Sequence, residues 1–361
     1  VRTQYQMCKN MKVPILGYPR TMQLALEQGP PIFRRISRYA GGAVNVFLIT
    51  YQLGICCVYI VFVATNIKQV VDHYCQEVDV RLYMLMLLLP LILINWVRNL
   101  KLLAPFSTFA NIVTFVGLGI IMYYVFDGIP SPAERKLAGN IFEFPLFIGT
   151  TLFALEAVGV IIALEYNMKN PSDFGGYFGV FNRGMSIIVF LYVFVGFVGY
   201  VKYGEEAAGS ITLNLPLEEK LAQSVKVMFA IAIFITYALQ CYVPLEIIWN
   251  TYMKDRLEHT TNKKKVVVEY VMRTGIVIGT FLLAVAIPRL ELFISLFGAL
   301  CLSALGIAFP ATIEMCYLWP TMNYGRYNWV LFKDIFIIIC GLLGLVIGTY
   351  TSLSSIVYSF L

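Results

Sequence analysis

Long apolar runs punctuated by short polar connections set the pattern of this chain. Nine such runs recur, at about 41 to 66, 82 to 98, 105 to 127, 146 to 166, 178 to 201, 221 to 249, 266 to 287, 290 to 312 and 330 to 357. Each is near the roughly 20 residues that a helix needs to cross the hydrocarbon of a bilayer. Apolar positions within them are continuous rather than alternating, which excludes a barrel of outer-membrane strands and predicts nine transmembrane helices. The first 40 residues differ. They are polar and basic, with Arg2, Lys9, Lys12, Arg20, Arg34, Arg35 and Arg38 against one acid, Glu27. Pro14, Pro19, Pro30 and Pro31 prevent one continuous helix there, and so short a stretch cannot enclose a core of its own.

Composition agrees with the pattern. The chain is 59% hydrophobic and 13% charged, well outside the range of soluble domains, so the fold class is all-α integral membrane. The net charge of +6 would suggest an anionic partner in a soluble protein, but in a membrane protein it has to be read by location. Nucleic acid is not implied. With the N-terminal segment in the cytoplasm, 19 of the 27 Lys and Arg residues fall inside and 8 outside. That asymmetry orients the chain with its N-terminus in and its C-terminus out.

Catalytic and metal chemistry find little support. Cys56, Cys57, Cys241, Cys301 and Cys340 lie in apolar runs, and no Cys or His spacing suits a metal. His73 and His259 fall in loops on opposite sides, so no His-based dyad is expected. No glycine-rich turn carries the lysine of a nucleotide site, and there is no selectivity-filter run or arginine-repeat voltage sensor. No enzyme activity, cofactor or metal is expected.

The stretch 146 to 169 is the exception. It is apolar enough to enter a bilayer, yet it carries Glu156 near its middle and Glu165 near its inner end, with Gly149 and Gly159 on either side of Glu156. A carboxylate at that depth is costly and usually faces a cavity or a pathway. Interrupted helices are how transporters present backbone groups to a substrate near the midplane. The alternative is a continuous span with one protonated or hydrogen-bonded glutamate. The two acids are nine residues apart and point to opposite faces of an unbroken helix, so they are not a catalytic pair. Tyr51, Gln52, Asn111, Thr114, Thr236, Tyr237, Gln240 and Ser303 are further polar residues at membrane depth, suited either to helix-to-helix hydrogen bonds or to one shared cavity. Gly117, Gly119, Gly341, Gly344 and Gly348 read as close-packing positions.

Three motifs then become specific. LFALEAVGVIIALEYNMKNPSDF (Leu152 to Phe174), GSITLNLP (Gly209 to Pro216) and TYALQCYVPLEIIW (Thr236 to Trp249) together resemble the proton-coupled amino acid transporters of the amino acid/auxin permease group. The resemblance covers essentially the whole chain. It implies a LeuT-type arrangement of eleven spans, two inverted five-helix repeats plus one helix. It also implies symport of small neutral amino acids with protons at the plasma membrane or the lysosome. On that plan residues 1–40 are a cytoplasmic connecting segment, 41–127 the remainder of the first repeat, 146–312 the second repeat and 330–357 the additional helix. Two spans, with a first-helix histidine used in proton coupling, are then expected upstream of Val1. The resemblance implies a substrate site at unwound backbone from Phe153 to Gly159. Phe153, Ala154, Glu156 and Gly159 line it, Tyr51, Thr236 and Tyr237 assist, and Glu156 is the proton-coupling candidate. The partners expected are small neutral amino acids, protons and the bilayer. A second reading is an amino acid sensor with little flux, signalling to cytoplasmic partners through segments 1 to 40 and 250 to 265.

Overall fold

A computed structural model describes the chain except residues 1, 14, 15, 99, 137, 138, 156 to 167, 169 to 172, 175 to 177, 323 and 359 to 361, and except the side chains of residues 2, 100 to 104, 134 and 142. Among the described residues all regular structure is helical. The helices are α1 (Arg2–Met11), α2 (Tyr18–Gln28), α3 (Pro31–Asp72), α4 (Val80–Asn95), α5 (Leu100–Phe126), α6 (Phe144–Ala154), α7 (Val180–Tyr203), α8 (Lys220–Ile248), α9 (Asn262–Ala286), α10 (Leu290–Phe297), α11 (Phe309–Leu318) and α12 (Trp329–Tyr358). The wider-wound π segment Gly298–Ala308 joins α10 to α11.

Each of the nine apolar runs holds a helix. Seven are long and apolar enough to cross a membrane, and the two others, Val80–Asn95 and Phe144–Ala154, are apolar but shorter. The described residues of 1–40 form separate helices rather than one, and several prolines open helices. Pro19 and Pro145 open α2 and α6 within their first two positions, where a missing N–H costs nothing. Helix α3 likewise begins at Pro31, about ten residues before its apolar run, so Arg34, Arg35 and Arg38 ride on helical turns. Arg34 Nε donates to the Gly29 carbonyl (2.9 Å). Pro244 is accommodated inside α8, which continues to Ile248 and then widens into the π turn Trp249–Met253.

The chain divides into two units. The first comprises Val1–Tyr51, Asn140–Val193 and Ser295–Leu361. Its centre is the helical stretch from Ser295 through α11, which packs against α6, α12 and α2. Small residues make the approach close. A Cβ added to Gly298 would lie 1.9 Å from the Gly149 carbonyl oxygen, and one on Gly149 would lie 2.5 Å from the Ser295 carbonyl oxygen. On α12, Gly348 meets Ala299, while Gly341 and Gly344 meet Ser303. Ser295 and Ser352 share a hydroxyl hydrogen bond of 2.9 Å. Where burial cannot attract one apolar helix to another, such contacts supply the cohesion. Tyr18 adds a bond from its hydroxyl to the Leu305 carbonyl (2.6 Å), and Phe47 meets Phe309 edge-on at 5.5 Å.

The second unit comprises Gln52–Gly139 and Phe194–Ile294. Here α5 packs along α8 around Ile121, Tyr124, Val125, Val198, Leu215, Ala222 and Val225. Gly117 faces the Phe229 ring, with an added Cβ 2.5 Å from it, whereas Gly119 has nothing within 4 Å. Close packing therefore accounts for the first of these glycines and not the second. The loop after α5 is clipped to the end of α7 by Arg135, whose Nε and Nη2 donate to the carbonyls of Val201 (2.9 Å) and Lys202 (2.8 Å). That guanidinium leaves no room for a Cβ on Gly204, whose φ of +62° favours glycine independently. The neighbouring Lys136 ammonium lies 2.5 Å from Glu205, which holds it above its ordinary pKa.

Candidate functional site

Within the fourth apolar run, the described helix stops at Ala154. This helix, α6, has 11 residues, and Leu155 leaves the helical region with φ −86° and ψ 23°. Eleven residues rise about 16 Å, roughly half the hydrocarbon thickness. Helix α6 is therefore too short to cross the hydrocarbon by itself. The last turn closes with Leu155 N donating to the Thr151 carbonyl (3.2 Å). Helix ends leave carbonyls without intrahelical partners and form the negative pole of the helix dipole.

Of the residues read from the sequence, Tyr51 and Phe153 are brought together. Their rings meet edge-on with centroids 5.9 Å apart and planes at 70°, a geometry that contributes about 0.5–1.5 kcal/mol beyond area burial. Tyr51 is buried, Phe153 half-buried and Ala154 exposed. The end of α6 is braced from behind, since a Cβ on Gly298 would also lie 3.1 Å from Phe153 Cβ. Glu156, Gly159 and Glu165 lie outside the described residues.

Thr236 and Tyr237 belong to the second unit. The Tyr237 hydroxyl is buried 2.8 Å from Thr280 Oγ1, which itself donates to the Val277 carbonyl (3.0 Å). Tyr237 is therefore the donor, and the bond ties α8 to α9. Thr236 turns its hydroxyl onto the Ala232 carbonyl of its own helix (2.8 Å). Asn111 and Thr114 sit at exposed positions of α5.

Three polar residues carry more structure than their spacing suggested. Lys226 is fully buried in α8 with Nζ 2.6 Å from Gln69 Oε1. Arg273 is buried in α9, donating through Nε and Nη2 to Glu269 Oε1 (3.1 and 3.0 Å) and through Nη1 to the Asn95 carbonyl (2.8 Å). Arg98 reaches the other oxygen of Glu269 at 2.7 Å. This network joins α9 to the end of α4, beside the contact of Trp96 with Thr274 and Tyr270. Asp334, the third, is enclosed near the start of α12. An apolar cavity of about 380 Å³ lies between Ile67, Val71, Val78, Leu82, Tyr83, Met86 and Leu87. Among the described residues no His, Cys, Asp and Glu gather as a metal site.

Long apolar helices of this kind suit a membrane carrier, and comparison with known proteins decides which kind. Residues 22–354 match the family model described as transmembrane amino acid transporter protein. The chain belongs to this family. It is a multi-pass membrane protein and an amino acid transporter. It is 40% identical over 346 residues to the Drosophila melanogaster protein named "Proton-coupled amino acid transporter-like protein pathetic", a match covering 96% of this chain and 72% of that one. It is 26% identical over 324 residues to the Caenorhabditis elegans protein named "Probable amino acid transporter skat-1", covering 88% of this chain and 70% of that one. Phe153, Ala154 and the end of α6 fall within the matched region of the transporter, as do Tyr51, Thr236 and Tyr237.

Proposed function

We propose that this transporter carries small neutral amino acids together with protons, and that the end of α6 is where the substrate is held. The observation that carries the reading is the halt of α6 at Leu155 beside the paired rings of Tyr51 and Phe153. The negative pole of α6 suits a substrate ammonium group. Tyr51, Phe153 and Ala154 offer apolar surface and no charge, which suits a small uncharged side chain and disfavours acidic or basic ones. Glu156 and Gly159 follow directly in the chain. Glu156 is assigned the coupled proton, because a carboxylate beside a helix break in an apolar run is suited to bind and release one. The name of the 40% identical relative supports proton coupling. On this reading residues 146–312 form an inverted repeat of the LeuT type, 41–127 belong to the other repeat, 330–357 is the additional helix and 1–40 is a cytoplasmic connection. The membrane of residence is the plasma membrane or the lysosome.

The test is paired flux in vesicles containing the purified transporter, following labelled alanine and internal pH together. Alanine entry with acidification of the lumen is expected, with glutamate and arginine failing to compete. Alanine entry with no proton movement refutes the coupling. Saturable alanine binding with no entry refutes the transport reading in favour of a sensor.

A further inference from the structure

Near the turn between α11 and α12 an acid is enclosed that the transport site does not use. Asp334 lies in the second turn of α12 with none of its surface exposed, and neither carboxyl oxygen accepts a hydrogen bond among the described residues. Lys333 Nζ stands 3.1 Å from Asp334 Oδ1 as an ion pair. The same nitrogen donates to Glu314 Oε2 on α11 at 2.8 Å. One ammonium thus contacts both carboxyls.

The surroundings add no further buried charge. Tyr324 is buried beside Asp334 and Cys316, but its hydroxyl donates to the Met315 carbonyl (2.8 Å), and burial holds its phenol above its ordinary pKa, so it stays neutral. The other elements packed on α12 bring Cys301 from Gly298–Ala308, the exposed Arg326 and Tyr327 from Arg326–Asn328, and no titratable group from α6. Among the described residues the cluster therefore holds two acids and one base.

Such a cluster is short of one positive charge and one hydrogen-bond donor. An enclosed carboxylate with no donor is costly, and a second carboxylate beside it makes full ionisation costlier still. A single proton from water meets both needs. It forms an O–H bond on the Asp334 carboxyl, and Lys333 is left facing the one negative charge of Glu314. We propose that Glu314, Lys333 and Asp334 form a proton-binding site of the transporter, separate from Glu156, in which the enclosed Asp334 takes the proton and Lys333 keeps Glu314 as its counter-charge.

The site is tested by infrared difference spectroscopy of the reconstituted transporter as pH is lowered, following the C=O stretch of a protonated carboxyl. The signal of the site is the component of the parent band that Asp334→Asn removes, Glu156 contributing alike to both spectra. Lys333→Gln is expected to move the midpoint of that component to higher pH by about tenfold or more in proton concentration, and Glu314→Gln to move it to lower pH. A spectrum whose carboxyl band is unchanged in Asp334→Asn overturns the proposal. If that variant does not fold, midpoints that stay put, or move the same way in Lys333→Gln and Glu314→Gln, overturn it equally. The readout is titration of the protein rather than uptake, so it fails independently of the symport reading.

Discussion

Gly298→Ala is expected to damage the transporter by a route that can be worked out from the close approach of two helices. The added Cβ would sit 1.9 Å from the Gly149 carbonyl oxygen and 2.8 Å from its carbon. An ordinary C···O contact is about 3.3 Å, so α6 and the π segment have to separate by more than 1 Å. The obstacle is backbone, and no side-chain rotation relieves it. Overpacking of this kind costs about 1–3 kcal/mol, against which the helix preference of alanine over glycine returns at most about 1 kcal/mol. The net expectation is a loss of about 1–2 kcal/mol, read as a melting temperature a few degrees lower in detergent. Because the same Cβ presses on Phe153, alanine uptake should fall by more than the loss of folded protein explains. Gly196→Ala is the control, since its Cβ would meet nothing within 4 Å, and stability should hold or rise slightly. Equal behaviour of the two variants, or Gly298→Ala as stable and active as the parent, would refute the reasoning.

Further outcomes follow from the same geometry. Glu269→Ala strands the buried Arg273, and loss of one partner of such a pair costs about 3–5 kcal/mol, so this variant should show the largest fall in thermal stability, with Glu269→Gln milder. Gly117→Ala should destabilise through Phe229 while Gly119→Ala should not, a difference that a melting comparison resolves. Tyr237→Phe removes the bond to Thr280 and should cost about 1 kcal/mol. An unchanged KM for alanine in that variant would assign Tyr237 to helix bracing, and a raised KM to the substrate.

How much of this was legible in the chain depended on whether the cause was local. The nine apolar runs became helices because hydropathy over twenty residues is a property of the run itself. The start of α3 was missed because charged turns look like a connection, while Pro31 and the Arg34 bond to Gly29 begin the helix earlier. Two glycines suggested a break beside Glu156; the described helix stops at Ala154, and Gly149 is occupied in packing against Gly298 and Ser295. That pairing joins positions far apart in sequence, and nothing local to either glycine announces it. Lys226 and Asp334 lie near the ends of apolar runs, where charged side chains ordinarily reach water. Their burial comes from neighbours contributed by distant segments, Gln69 in one case and Glu314 in the other.

The claim that the substrate is held at the end of α6 is tested most directly by thiol protection at Ala154, which is exposed at the last helical position. Ala154→Cys would be placed in a protein whose exposed Cys75 and Cys340 are replaced by serine, and its labelling rate measured with and without amino acids. Slower labelling in the presence of alanine, with no effect of glutamate or arginine, is predicted. A rate unaffected by alanine, in a variant that still takes alanine up, would contradict the assignment.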